Sequence, residues 1–69
     1  MGKYEIIIWW SKEDDCYLAE VPELSGCMAD GESVTEVAAA IEESIKIWIE
    51  VNRERGVEIP EPKGRLMYA

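Results

Sequence analysis

The chain has 69 residues, enough for one domain whose folding removes only about 60% of the unfolded surface from water, so any core is thin. Seven Lys and Arg against fifteen Asp and Glu leave a formal charge of −8, a field that repels phosphate backbones and argues against RNA or DNA as a ligand. A hydrophobic fraction of 48% with three Trp argues against disorder, and no apolar run reaches the roughly 20 residues that span a bilayer.

The first predicted element is a strand over residues 3–10. Tyr4 to Trp10 is apolar except for Glu5 and rich in β-branched and aromatic side chains, which suit a pleated surface covered on both faces or shared with a partner. Five polar residues, Ser11 to Asp15, interrupt the pattern. A second strand over 16–21 resumes it, with Cys16, Leu18 and Glu20 on one face and Tyr17, Ala19 and Val21 on the other, so the pair reads as a hairpin with an acidic tip. Pro22 lacks a backbone donor and holds Val21 extended, which predicts a turn through Gly26 and a short third strand over 27–30.

Ser33 stands three residues before Glu36, the spacing of a capping box, and predicts a helix over 34–55. No Pro or Gly interrupts that span, and Gly56 follows it as the left-handed residue that commonly ends a helix, with Arg53 and Arg55 favourably placed against the negative end of the dipole. At about 100° per residue, Val34, Val37, Ile41, Ile45, Ile47, Trp48, Ile49 and Val51 fall in an apolar arc of about 200°. A four-stranded sheet is only about 19 Å across, whereas 22 helical residues extend about 33 Å. The helix is therefore expected to overhang the sheet and to use Ile47, Ile49 and Val51 in a homo-oligomer, a dimer or larger. Beyond Gly56, Pro60 and Pro62 favour an extended tail over 57–69, in which residues 65–69 read equally as a fourth strand or a frayed end. The whole is one α+β domain, a three-stranded antiparallel sheet with one long helix and room for a fourth strand in the order β-β-β-α-β.

Histidine is absent, which removes the usual general base near neutral pH and the commonest metal ligand. Cys16 and Cys27 cannot complete a four-ligand zinc site within one chain. They read as buried reduced thiols, and together with a start lacking a secretory apolar core they place the chain in the cytoplasm, with no membrane association. Glu13, Asp14 and Asp15 serve either as a solvated turn or as a contact for Lys and Arg on a partner, and Glu23 is a similar candidate. Trp9 and Trp10 must point to opposite faces of their strand, so that one packs on the helix while the other faces outward as an interface anchor. Trp48 lies inside the apolar arc and reads as core.

The run Ala19-Glu20-Val21-Pro22-Glu23-Leu24-Ser25-Gly26-Cys27, then Gly31-Glu32-Ser33, Glu36 and Ala38, then Glu58-Ile59-Pro60-Glu61-Pro62, resembles the HicB family of type II antitoxins over nearly the whole chain. The resemblance implies a reduced, partial RNase H-like fold, commonly dimeric, that binds a small basic HicA-like ribonuclease toxin and covers its RNA-binding and active surface. Many family members add a C-terminal DNA-binding segment; the sequence ends at Ala69 without one, so direct nucleic-acid binding by this chain is not expected. RNase H enzymes hold two metal ions between carboxylates, and Glu5, Glu20, Asp30, Asp14 and Asp15 are the acids to consider, but they read as solvated or partner-facing charge. No catalytic residue, metal or cofactor is expected. A stand-alone oligomeric regulatory or assembly domain of the same fold, without a toxin, is the alternative.

Overall fold

The computed structural model describes residues 4–62. Three strands, β1 (Ile7–Ser11), β2 (Cys16–Glu20) and β3 (Met28–Gly31), precede one helix, α1 (Val34–Glu54). The sheet is antiparallel in the order β1-β2-β3, giving the α+β architecture that the sequence pattern implies. A fourth strand over 65–69 lies outside the described residues, as does Lys3 at the start of the first predicted strand.

β1 enters the ladder at Ile7, opposite Glu20. Tyr4 to Ile6 lead into it without pairing, because β2 ends where Pro22 turns the chain away and the Glu5 amide donates instead to the Glu23 carboxylate at 3.0 Å. The turn after β2 is knitted by three backbone bonds: Leu24 N to Val21 O at 3.0 Å, Cys27 N to Leu24 O at 3.0 Å, and Val21 N to Cys27 O at 3.1 Å. This winding drives Leu24 into the centre of the core, where it is fully buried with Ala19, Val37 and Ile41, beside Val21 and Cys27. Tyr4, Ile6, Ile8, Tyr17, Ala29, Ile45 and Trp48 pack around that cluster.

The helix start matches its local chemistry. Ser33 Oγ accepts from Glu36 N at 3.1 Å, and the Glu36 carboxylate accepts from Glu32 N at 3.0 Å, a reciprocal clasp reaching one residue further back than the usual box. At the other end, Val57 N donates to Asn52 O at 2.9 Å and Gly56 N to Arg53 O at 3.1 Å, the bonding of a Schellman motif, with Gly56 at φ +76° as its left-handed residue. The tail returns toward the sheet, where the Tyr4 hydroxyl donates to the Pro60 carbonyl.

Alternation along the strands assigns their faces. Tyr17, Ala19, Ile8 and Ala29 belong to the packed side, so α1 covers that face. Ile7, Trp9, Cys16, Leu18, Glu20, Met28 and Asp30 take the opposite one. No layer covers it among the described residues.

Candidate functional site

The hairpin tip is held by its own side chains. Ser11 Oγ donates to Asp14 Oδ2 at 3.0 Å and accepts from Asp14 N at 3.2 Å, while Asp15 takes a left-handed conformation at φ 52°, which aspartate tolerates better than most residues. Glu13, Asp14 and Asp15 are all exposed. The tip therefore presents three carboxylates on an ordered turn, with Lys12 as its cation.

Asp14 also borders a shallow groove of about 450 Å³ on the uncovered side of the sheet, with Cys16, Leu18, Met28, Ala29 and Asp30. Cys16 senses the charge there: burial pushes its thiol upward, and the carboxylates of Asp30, Asp14 and Asp15 push in the same direction, because each disfavours a second negative charge nearby.

The two consecutive tryptophans divide as alternation requires, but the helix shelters neither of them fully. Trp9 faces the uncovered side opposite Leu18 and is 37% exposed; Trp10 lies on the helix side and is 47% exposed. Trp10 packs edge-on to Tyr17, ring centres 5.0 Å apart and planes at 75°, outside the main cluster. The expectation that one of the pair packs beneath the helix is corrected accordingly: Trp10 sits near the hairpin end and supports Tyr17 instead.

Glu23 does not join the acidic tip. It is half-buried at the Glu20 end of the sheet, whereas the tip extends from the Ser11 and Cys16 end, and its carboxylate holds the Glu5 amide. Sequence reasoning missed Leu18 and Met28 as surface residues. Their signal was the alternation itself, which groups them with Trp9 once the covered face is known.

A second surface lies between α1 and the start of β3. Ile47 and Val51 are 52% and 45% exposed and border a groove of about 330 Å³ with Gly26, Cys27, Met28, Ser44, Trp48 and Asn52. None of these eight residues is charged. Trp48 is fixed there by its indole Nε1, which donates to Ser25 O at 2.8 Å, and Asn52 Nδ2 donates to Trp48 O at 2.8 Å. Ile49 is half-buried and does not border this groove.

Among the described residues, no three Cys, Asp or Glu side chains come together as a group that could hold a metal ion, and no helix is long and apolar enough to cross a membrane.

The sheet, the capped helix and the knitted Val21–Cys27 turn occur together in a chain that matches the family described as HicB_like antitoxin of bacterial toxin-antitoxin system over residues 4–67. The chain belongs to this family, and membership implies an antitoxin role with a toxin as partner. It is 36% identical over 58 residues to UPF0150 protein Ta0767 of Thermoplasma acidophilum, covering 84% of this chain and 83% of that protein. No solved structure matches it significantly.

Proposed function

We propose that this chain neutralises a small, basic, mRNA-cleaving toxin of the HicA type by binding over its RNA-contacting and active surface, acting in the cytoplasm and without catalysis of its own. The observation that carries the reading is the hairpin tip, where the Ser11–Asp14 clasp holds three exposed carboxylates beside two exposed indoles. A toxin that grips RNA needs a cationic surface, and a −8 chain is drawn to such a surface and discriminates against acidic competitors.

The test is titration of the toxin against wild-type chain and a Glu13/Asp14/Asp15 triple-Ala variant at rising salt. A carboxylate whose pair is desolvated in the complex costs about 2–5 kcal/mol when truncated, whereas a rim pair costs little. The triple variant should bind at least about 30-fold more weakly, with a shallower salt dependence; unchanged affinity removes the tip from the interface. Glu23, given its bond to Glu5, contributes by holding the lead into β1 and by adding charge at the far end of the sheet.

Self-association is proposed through the uncharged groove on α1, with Ile47 and Val51 at its centre and Ile49 outside it. Sedimentation of the wild type should show a species larger than 7.8 kDa, and Ile47→Glu should return it to that mass. A persistent oligomer that captures no basic ribonuclease would instead support the stand-alone regulatory domain.

A further inference from the structure

We infer that the toxin docks on the helix-free face of the sheet, with Trp9, Leu18 and Met28 as its apolar contacts and Glu20, Asp30 and Asp14 as the carboxylates set among and beside them. This rests on the antitoxin reading above and names the surface it uses.

The register builds the patch in rows. Ile7, Glu20 and Met28 lie side by side across the three strands, and Trp9, Leu18 and Asp30 form the next row. Leu18 thus holds the central strand of a face from which α1 is absent, with Trp9 beside it on β1 and Met28 diagonal to it on β3, and Trp9 and Met28 are both more than one-third exposed. Carboxylates are interleaved with it: Glu20 on β2 between Ile7 and Met28, Asp30 on β3 beside Leu18, and Asp14 at the hairpin end. Exposed apolar side chains with an aromatic anchor, set beside charged groups, are what a protein-binding patch presents.

The sign of these charges selects the occupant. A second copy of this chain would bring the same carboxylates against those already there, and like charges brought together at an interface cost several kcal/mol. The groove on α1, which shares only Met28 with the lining on the sheet face and carries no charge, is free of that penalty and suits a second copy better. A cationic protein surface, in contrast, is attracted to the sheet face and compensates its carboxylates. The groove geometry supports this, with Asp14 and Asp30 lining it beside Cys16, whose thiol is raised by burial first and then by Asp30, Asp14 and Asp15. Three strands by five residues give a footprint of about 14 by 17 Å, on the order of 240 Å². A stable interface buries about 800 Å² per partner, so the contact must continue round the hairpin tip, which joins this face to the acidic cluster already proposed.

The experiment uses the full chain and a small basic ribonuclease of the HicA type co-expressed with it. Two double variants carry the same change in net charge: Glu20→Lys with Asp30→Lys on the sheet face, and Glu43→Lys with Glu50→Lys on the solvent side of α1. The sheet-face pair should weaken binding at least about 100-fold and the helix pair less than about 5-fold. Equal losses would mean that only total charge matters, and no loss from the sheet-face pair would place the toxin elsewhere; either overturns the inference. Should the sheet-face pair not fold, Cys16 in the wild type provides a second measurement. Its alkylation, located by mass spectrometry, should slow at least about 10-fold when toxin is bound, and an unchanged rate refutes the assignment. Slowing that follows the concentration of the chain alone would give the face to a second copy and refute it too. Failure of wild-type chain to bind the toxin at all would defeat the antitoxin reading itself, a result distinct from binding that ignores these residues.

Discussion

Replacing Gly31 by alanine tests how closely α1 is seated on the sheet. A Cβ built at Gly31 falls 2.7 Å from Val37 N, 3.0 Å from Val37 Cα and 3.2 Å from the Glu36 carbonyl carbon, whereas non-bonded heavy atoms rest at about 3.5–4.0 Å. All three obstacles are backbone, so no side chain can swing aside. The turn they belong to is pinned by the Ser33 and Glu36 clasp and by Val37, which is fully buried. Either β3 or the helix start must retreat by roughly 0.8 Å, and overpacking of this kind costs about 1–3 kcal/mol; with no flexible neighbour to yield, the upper half of that range is expected. A domain of this size has only about 3–10 kcal/mol of stability, so the loss is a large share of the total and corresponds to about 8–20 °C in melting temperature. Urea and thermal unfolding followed by far-ultraviolet circular dichroism measure it directly. Gly56→Ala is the companion: nothing lies within 4 Å of the added carbon, but φ is +76°, so only about 1–2 kcal/mol of backbone strain is expected. A Gly31→Ala protein with a wild-type unfolding midpoint would refute the close seating of α1 on β3.

Leu24→Ala should lose about 2.7–5 kcal/mol, since Leu24 is fully buried at the heart of the core and its removal leaves a cavity; a loss below about 1 kcal/mol in urea unfolding would show that the turn collapses to fill the space. Ser33→Ala removes the acceptor for Glu36 N and should cost about 1 kcal/mol, with helix content at low temperature preserved. Stability should fall at alkaline pH. Burial raises the Cys27 thiol; Cys16 is raised by burial and nearby carboxylates, and Tyr4 by burial and then by Glu23 and Glu61. The folded chain therefore keeps protons that the unfolded chain releases. The thiol contribution is whole below the unfolded value of about 8.5 and declines as pH rises through the folded-state values. Urea midpoints measured from neutral to alkaline pH should fall, with a gentler slope in Cys27→Ala, and a flat wild-type profile would contradict the burial of Cys27.

The elements that could be read from the chain are those specified by neighbours. Ser33 and Glu36 are three residues apart and cap the helix start directly; the five polar residues after Trp10 place the hairpin; Pro22 turns the strand; and Gly56 closes the helix through bonds within five residues. The resemblance carried by the Val21–Cys27 run also has a local basis, because the same residues knit the turn that buries Leu24. The bond from the Glu5 amide to Glu23 spans 18 residues and has no periodic signature, so Glu23 read as an acidic contact like those at the tip.

Sequence alone determined the order of the strands and helix, which strand residues share a side, and that the chain is acidic; it set the start of the first strand at residue 3, whereas pairing begins at Ile7. Alternation is symmetric, however, and two faces of a strand remain equivalent until something packs on one of them. Tertiary structure broke that symmetry against simple expectation: the helix chose the side bearing Ala19, Ala29 and Gly31, where small residues permit close approach, and left the bulkier Trp9, Leu18 and Met28 on the side available to a partner.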